Sequence, residues 1–273
     1  MGILIITESF IYEKKGAELA IIFNDVTKIY DSKIALQNFS MRVNPGEIVG
    51  LLGPNGSGKT TALRIAVGLL KPSKGDVIIM GHSITHNPEE AKKYIGYVPD
   101  EPPLYENLAG IEYLQLILEL WGYDIADKMN EIDELARILD MQLELNDLIS
   151  SYSAGMRRKI ALMAALIHDP KVLIIDEITA NLDPKALASL AILLRGLKEH
   201  NVAILISTHI LEIAEELSDR VVILHAGEII WTGNPKEFRK EVSESKRLED
   251  IFFELTGGPE VEQIINYLRR YTK

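Results

Sequence analysis

Short, unbroken apolar runs punctuate this chain. Ile48-Val49-Gly50-Leu51-Leu52, Val172-Leu173-Ile174-Ile175, Val202-Ala203-Ile204-Leu205-Ile206 and Val221-Val222-Ile223-Leu224 lack the polar alternation of a half-exposed strand. That is the pattern of strands buried on both faces of a parallel sheet. Apolar residues at helical spacing lie between them. Leu63, Ile65, Ala66, Leu69 and Leu70 follow the first run, up to Lys71-Pro72, and further helical stretches cover about 185–199 and 210–217. Strands alternating with helices predict an α/β core.

Other segments frame that core. A strand is expected from about Leu19 to Phe23 and another from Ile34 to Val43, with Asn44-Pro45-Gly46 as the turn into the first buried run. Asp76 to Gly81 and Tyr94 to Val98 also read as strands. Asp100-Glu101-Pro102-Pro103 must then be a loop, because proline suits neither a helix interior nor a ladder. From about 110 to 167 the period changes: Ile111, Leu114, Leu118 and Trp121, then Ile132, Leu135, Ile138 and Leu139, predict a helical subdomain inserted in the core. Two short helices are expected in the tail, near 247–256 and 260–270, on either side of Gly257-Gly258-Pro259. The expected domains are an extension at 1–19, one domain over 20–240 and a helical tail over 241–273.

Composition narrows the function. Among 273 residues, 47% are hydrophobic and 25% charged, ordinary for a soluble protein with a real core. A formal net charge of −11 argues against a nucleic-acid partner. There is no cysteine, so disulfides and thiolate chemistry are excluded, and a reduced cytoplasmic setting fits. Charges break the apolar stretches before they reach membrane-spanning length, as at His168-Asp169 and Lys171. The start, Met1-Gly2-Ile3-Leu4-Ile5-Ile6, lacks a basic leader and does not read as a secretory signal. A membrane role would have to come through a partner.

The chemistry begins where the first buried run ends. Gly53-Pro54-Asn55-Gly56-Ser57-Gly58-Lys59-Thr60-Thr61 fits G-x-x-x-x-G-K-[ST], a phosphate-binding loop between a strand and a helix. Its glycines let successive N–H groups point inward, and the helix start adds the positive end of its dipole. Lys59 can reach the β- and γ-phosphates, and the Thr60 hydroxyl can ligate Mg²⁺. Asp176 ends a second buried run, where a carboxylate helps hold Mg²⁺. Glu177 follows and can polarise a water for attack on the γ-phosphate. Ser207-Thr208-His209 ends a third run, and His209 there can donate a hydrogen bond to that phosphate. Tyr30, upstream of the loop, can stack on an adenine ring, although a tyrosine at a strand end is also ordinary packing.

Taken together and in this order, the motifs resemble the nucleotide-binding subunit of ABC (ATP-binding cassette) transporters, from about Ala20 to Gly233. Tyr30 resembles the aromatic that stacks on adenine, and Gly53 to Thr60 resemble Walker A. Tyr152-Ser153-Ala154-Gly155-Met156 resembles the signature, usually L-S-G-G-Q. Asp176 and Glu177 resemble Walker B and the catalytic base, Ala180-Asn181-Leu182-Asp183 the D-loop, and His209 the switch histidine. The resemblance implies a phosphate-loop NTPase core of mostly parallel sheet, with an N-terminal antiparallel β subdomain and the helical insertion. It implies an ATPase using ATP and Mg²⁺, working as a head-to-tail dimer with a second ATPase subunit, identical or not. Each ATP would lie between Walker A of one subunit and Ser153 and Gly155 of the other. Ser153 also stands just before a helical run, as an N-cap would. An integral membrane permease is the implied partner, and the expected place is peripheral, on the cytoplasmic face of the membrane. Two departures stand out. Asp100 occupies a position where the family usually has Gln, in the loop near Mg²⁺, the attacking water and the permease; it still offers oxygen to a metal but adds charge. The signature has Ala154 and Met156 in place of Gly and Gln.

The segment from Tyr152 to Lys159, with Leu248-Glu249-Asp250-Ile251-Phe252 and Leu255-Thr256-Gly257, looks most like the exporter-type members that drive multidrug, antibiotic or ion efflux. The alternatives are a soluble ABC-type ATPase acting on nucleic acid or the ribosome, and a degenerate, low-activity subunit of a heterodimer.

Overall fold

The computed structural model describes residues 19–180 and 182–241. The first 18 residues, Asn181 and the expected tail helices lie outside the described residues.

Two sheets make the frame. The larger has six strands in the order β10-β9-β3-β8-β7-β6: β3 (Ile48–Leu52), β6 (Ile95–Val98), β7 (Val172–Ile175), β8 (Ala203–Thr208), β9 (Arg220–His225) and β10 (Glu228–Gly233). All pairings are parallel except the antiparallel edge strand β10. The smaller sheet is antiparallel, β2-β1-β4-β5, from β1 (Ile21–Tyr30), β2 (Lys33–Val43), β4 (Lys74–Ile79) and β5 (His82–Ser83). The fold is thus a phosphate-loop NTPase core with an N-terminal antiparallel sheet and added helices.

The unbroken apolar runs are unbroken because both faces of the central strands are covered. Every residue of β3, β7 and β8 is buried. Alternate residues point opposite ways, as the two-residue strand period requires. Ile48, Leu173, Ile175, Ile204 and Ile206 join the core under α5 (Ala154–Leu166) and α6 (Pro184–Glu199). Val49, Leu51, Val172, Ile174 and Leu205 join the core shared with α1 (Lys59–Ala66) and the antiparallel sheet, where Phe23 and Phe39 meet edge to face at 5.0 Å.

Between β6 and β7 lie α3 (Gly110–Trp121), α4 (Ile125–Leu139) and α5, with short 3₁₀ turns at Glu144–Asn146 and Ile149–Ser151. Helix α5 also packs directly on β6, so the helical stretch ends inside the main core. The remaining helices are α2 (Pro88–Lys92), α7 (Leu211–Leu217) and α8 (Pro235–Glu241). The short elements β5, β10, α2 and α8 carry too few periodic positions to stand out in the sequence.

Three boundaries differ from the sequence expectation. Strand β1 runs on to Tyr30 rather than ending at Phe23. Helix α1 stops at Ala66, not at Lys71-Pro72. Gly68 adopts φ +69°, a left-handed conformation that closes a helix, and its N–H donates to Ile65 O. Leu69, counted as periodic, is exposed beyond that end. Strand β4 begins at Lys74 and ends at Ile79, because Met80 and Gly81 turn with φ 46° and 79°.

The parallel register matters most for function. Leu52 pairs with Thr208, Ile175 with Ile206, and Val98 with Ile175. The C-terminal ends of β3, β6, β7 and β8 therefore emerge at one edge, and whatever follows each strand meets there.

Candidate functional site

Four chain segments converge at that edge. Gly53 to Lys59 follow β3, Pro99 and Asp100 follow β6, Asp176 and Glu177 follow β7, and His209 follows β8. Glycine is required twice in the first segment. A Cβ on Gly53 would lie 2.2 Å from Leu224 O, and Gly58 has φ +113° with a Cβ position 2.5 Å from Ala35 O. The loop is thus threaded tightly between β2 and β9 before α1 begins at Lys59.

Lys59 is buried, and its Nζ donates to Gly53 O at 2.7 Å and Pro54 O at 3.1 Å, folded back on its own loop. Burial pulls its pKa down, against the upward pull of Glu177 and Asp176. Thr60 Oγ1 donates to Asp176 Oδ1 at 3.2 Å. Asp176 is buried and has two unlike oxygens. Oδ1 also accepts from Ser207 Oγ at 2.7 Å, whereas Oδ2 has no hydrogen-bond partner. A buried carboxylate oxygen without a donor, beside a threonine hydroxyl, fits a hard cation. Among the described residues no cluster of three His, Asp or Glu could hold a metal unaided.

Glu177 turns through φ 52°, a left-handed conformation uncommon for a side-chain-bearing residue and costly unless its surroundings enforce it. They do: its N–H donates to Ser207 Oγ at 2.7 Å, and its Oε1 lies 3.1 Å from Thr179 Oγ1, 3.5 Å from Thr208 Oγ1 and 3.1 Å from His209 Nδ1. Asp100 stands across from it. Its pKa is raised, chiefly by burial and next by Asp176, with Arg158 opposing. Asp100 and Glu177 face one opening with Asp176 buried behind them, which makes the site hungry for positive charge.

That opening is a cavity of about 280 Å³, lined by Tyr30, Lys33, Ala35, Asn55, Gly56, Gly58, Lys59, Thr60, Thr61, Asp100 and Glu177. Tyr30 ends β1 half exposed at its rim, with Lys28 Nζ 5.1 Å from its ring centroid. Gly53, Pro54, Ser57 and Asp176 lie under or behind the lining, and His209 stands beside Glu177. Ser153, Gly155 and Asp183 are not part of it. Ser153 caps α5, accepting from Met156 N at 3.3 Å, and it and Ala154 face solvent. Asp183 caps α6 through Ala186 N at 2.8 Å and lines a separate cavity of about 270 Å³ between α4, α5 and α6.

Residues 36–180, more than half the chain, match the sequence family described as ABC transporter. The chain belongs to that family. It is 38% identical over 207 residues to the bacitracin transport ATP-binding protein BcrA of Bacillus licheniformis, covering 76% of this chain and 67% of the relative. It is 35% identical over 223 residues to the Nod factor export ATP-binding protein I of Rhizobium etli, covering 82% of this chain and 71% of the relative. Among solved structures it resembles the dimeric post-hydrolysis state of the cassette MJ0796 bound to ADP and Pi, with TM-score 0.73 and 26% identity over 79% of this chain and 98% of that one. The chain is thus an ATP-binding subunit of an ABC transporter, a family whose ATPase cassettes form dimers and pair with membrane permeases. Among the described residues, no helix is long and apolar enough to cross a membrane.

Sequence reasoning missed two residues of this cassette's site. Ser207 lies within a buried strand, and its hydroxyl joins Asp176 to Glu177. Arg158 lies on α5, and its guanidinium reaches the backbone beside both acids. A signal for Arg158 did exist: it shares a helix face with Ala161, Leu162 and Ala165, a charge on an otherwise apolar stripe. For Ser207, replacement by Ala leaves the Glu177 N–H and Asp176 Oδ1 each short of a partner. The expected result is a loss of about 1–3 kcal/mol in stability and a lower kcat, read by thermal melting and steady-state ATPase assay.

Proposed function

We propose that this cassette is a Mg²⁺-dependent ATPase that powers efflux through a membrane permease, from the cytoplasmic face. The observation that carries this reading is the division of the motifs between two surfaces. The phosphate loop, Asp100 and Glu177 line one cavity with Asp176 buried behind it, while the Ser153 end of α5 points to solvent away from it. A helix start that offers free N–H groups suits a γ-phosphate held by another molecule. Each ATP is then sandwiched between Gly53–Thr61 of one subunit and Ser153 and Gly155 of a second, with Asp183 near the junction. Residues 20–240 form the ATPase domain, with 110–167 as its helical part.

The roles follow from placement. Tyr30 stacks on the adenine, and the loop amides and Lys59 hold the phosphates. Thr60 and Asp176, with Asp100 nearby, would hold Mg²⁺, which when bound offsets charge on the β- and γ-phosphate oxygens. Glu177 accepts the proton of the attacking water, and His209, 3.1 Å from it, is placed to fix its orientation and to sense the γ-phosphate. Binding closes the dimer and hydrolysis reopens it. The motion passes to the permease through the loop holding Asp100 and the exposed Tyr105. Efflux is supported by relatives named for bacitracin transport and Nod factor export. Asp100 favours one second reading, a low-activity member of a heterodimer.

Purified protein, alone and with its copurified permease, is expected to hydrolyse ATP with Mg²⁺ and to stop when EDTA removes the metal. Hydrolysis that persists in EDTA overturns the metal role. No hydrolysis in either preparation favours the low-activity reading.

A further inference from the structure

Asp176 and Glu177 lie beyond the last rung of the sheet. The final backbone bond between β6 and β7 runs from Asp176 N to Val98 O. Past it, the carbonyls of Pro99 and Asp100 on one segment and of Asp176 and Glu177 on the other leave the ladder. One side chain gathers all four. Arg158 Nη1 donates to Pro99 O and, at 3.1 Å, to Asp100 O; Nη2 donates to Asp176 O at 2.5 Å and Glu177 O at 2.9 Å. Arg158 is only 3% exposed. It comes from a third element, α5, five residues after the Ser153 cap.

The chemistry of the group suits this task. Guanidinium is planar and rigid, so two nitrogens in a fixed fork set the spacing between the two things they hold. An ammonium or an amide carries its donors on a single nitrogen and sets that spacing less firmly. Burying a cation is costly, and burial does pull this guanidinium toward neutrality, with Asp100, Asp176 and Glu177 opposing. A neutral donor could have satisfied stray carbonyls at less cost. The fork adds a fixed distance between the Asp100 loop and the end of β7.

We propose that Arg158 is a positioning residue for hydrolysis, holding the Asp100 loop and the strained Glu177 backbone at the separation the attack on ATP requires. This rests on the base role proposed for Glu177. Arg158 does not itself line the ATP cavity and meets its wall only through the backbone carbonyls of Asp100 and Glu177, so its loss acts on turnover and leaves nucleotide capture intact.

Three variants test it in the full-length chain: Arg158→Met, Arg158→Gln and Arg158→Lys. Each is assayed for kcat, KM for MgATP and thermal midpoint. Arg158→Met is expected to lose between tenfold and a hundredfold in kcat with KM within threefold of the parent, since small misplacements of reacting groups carry penalties of that order. Gln and Lys, which keep donors, are expected to fall between Met and Arg. A kcat for Arg158→Met within twofold of the parent overturns the proposal. So do equal kcat values for Met, Gln and Lys, or a KM that rises as much as kcat falls. If the Met variant does not fold, the Gln and Lys variants decide the matter by the same split of kcat from KM. Failure of the underlying base role is read separately, in Glu177→Gln: that variant turning over at the parent rate removes the base assignment without changing the ranking expected at position 158.

Discussion

Glu177→Gln is expected to lower kcat by about 10²–10⁴-fold, while MgATP still binds. The change removes the carboxylate proposed to accept the proton and little else. An amide oxygen can still accept from Thr179 and Thr208, and the backbone N–H still reaches Ser207 Oγ, so the left-handed turn at φ 52° keeps its supports. The lost negative charge lines the phosphate-loop cavity, so ATP affinity should hold or rise. The variant should therefore collect as a closed dimer in MgATP, seen by size-exclusion chromatography with light scattering, and as a monomer without nucleotide. Turnover at the parent rate, or a dimer independent of ATP, would remove Glu177 from the base role.

Why Glu177 could be picked from the sequence, and Arg158 could not, is a matter of locality. Glu177 directly follows an unbroken apolar run, and such a run forces a buried parallel strand. A parallel sheet then sends every such strand end to the same edge. Asp176 and His209 were legible for that reason, although they are far apart along the chain, and Gly53 by the phosphate-loop motif that it opens. Ser153 was legible as a helix cap, since capping is decided within three residues, whereas Asp183 was reached only through the D-loop resemblance and its cap of α6 was not read. Arg158 depends on carbonyls 58 and 59 residues before it and 18 and 19 after it, and carbonyls leave no trace in side-chain patterns. The end of α1 was misplaced for the opposite reason. Leu69 and Leu70 kept the helical rhythm in letters, but Gly68 between them and the helix released the backbone. Periodicity records which residues could share a face; a left-handed glycine decides whether they do.

Lys59 gives the second large effect, and it has an unusual sign. Lys59→Met is expected to weaken MgATP binding by about 3 kcal/mol or more, on the order of a hundredfold in Kd, because a buried charge paired with phosphate is lost. The same substitution should leave the nucleotide-free protein as stable as the parent, or more stable. In this structure the ammonium is buried and desolvated, held by two carbonyls of its own loop and only partly compensated by Asp176 and Glu177. A methionine of similar length removes that desolvation cost, and replacing a buried charge by a well-packed apolar group is often neutral or stabilising. Two measurements check this: ATP titration by calorimetry and thermal melting without nucleotide. Tight binding by the variant would show that the loop amides alone hold the phosphates. A sharp fall in its melting temperature would show that the Lys59 bonds to Gly53 and Pro54 build the loop itself. If binding falls while stability holds, the lysine is kept for the phosphate at a cost to the empty protein, and ATP relieves that cost when it arrives.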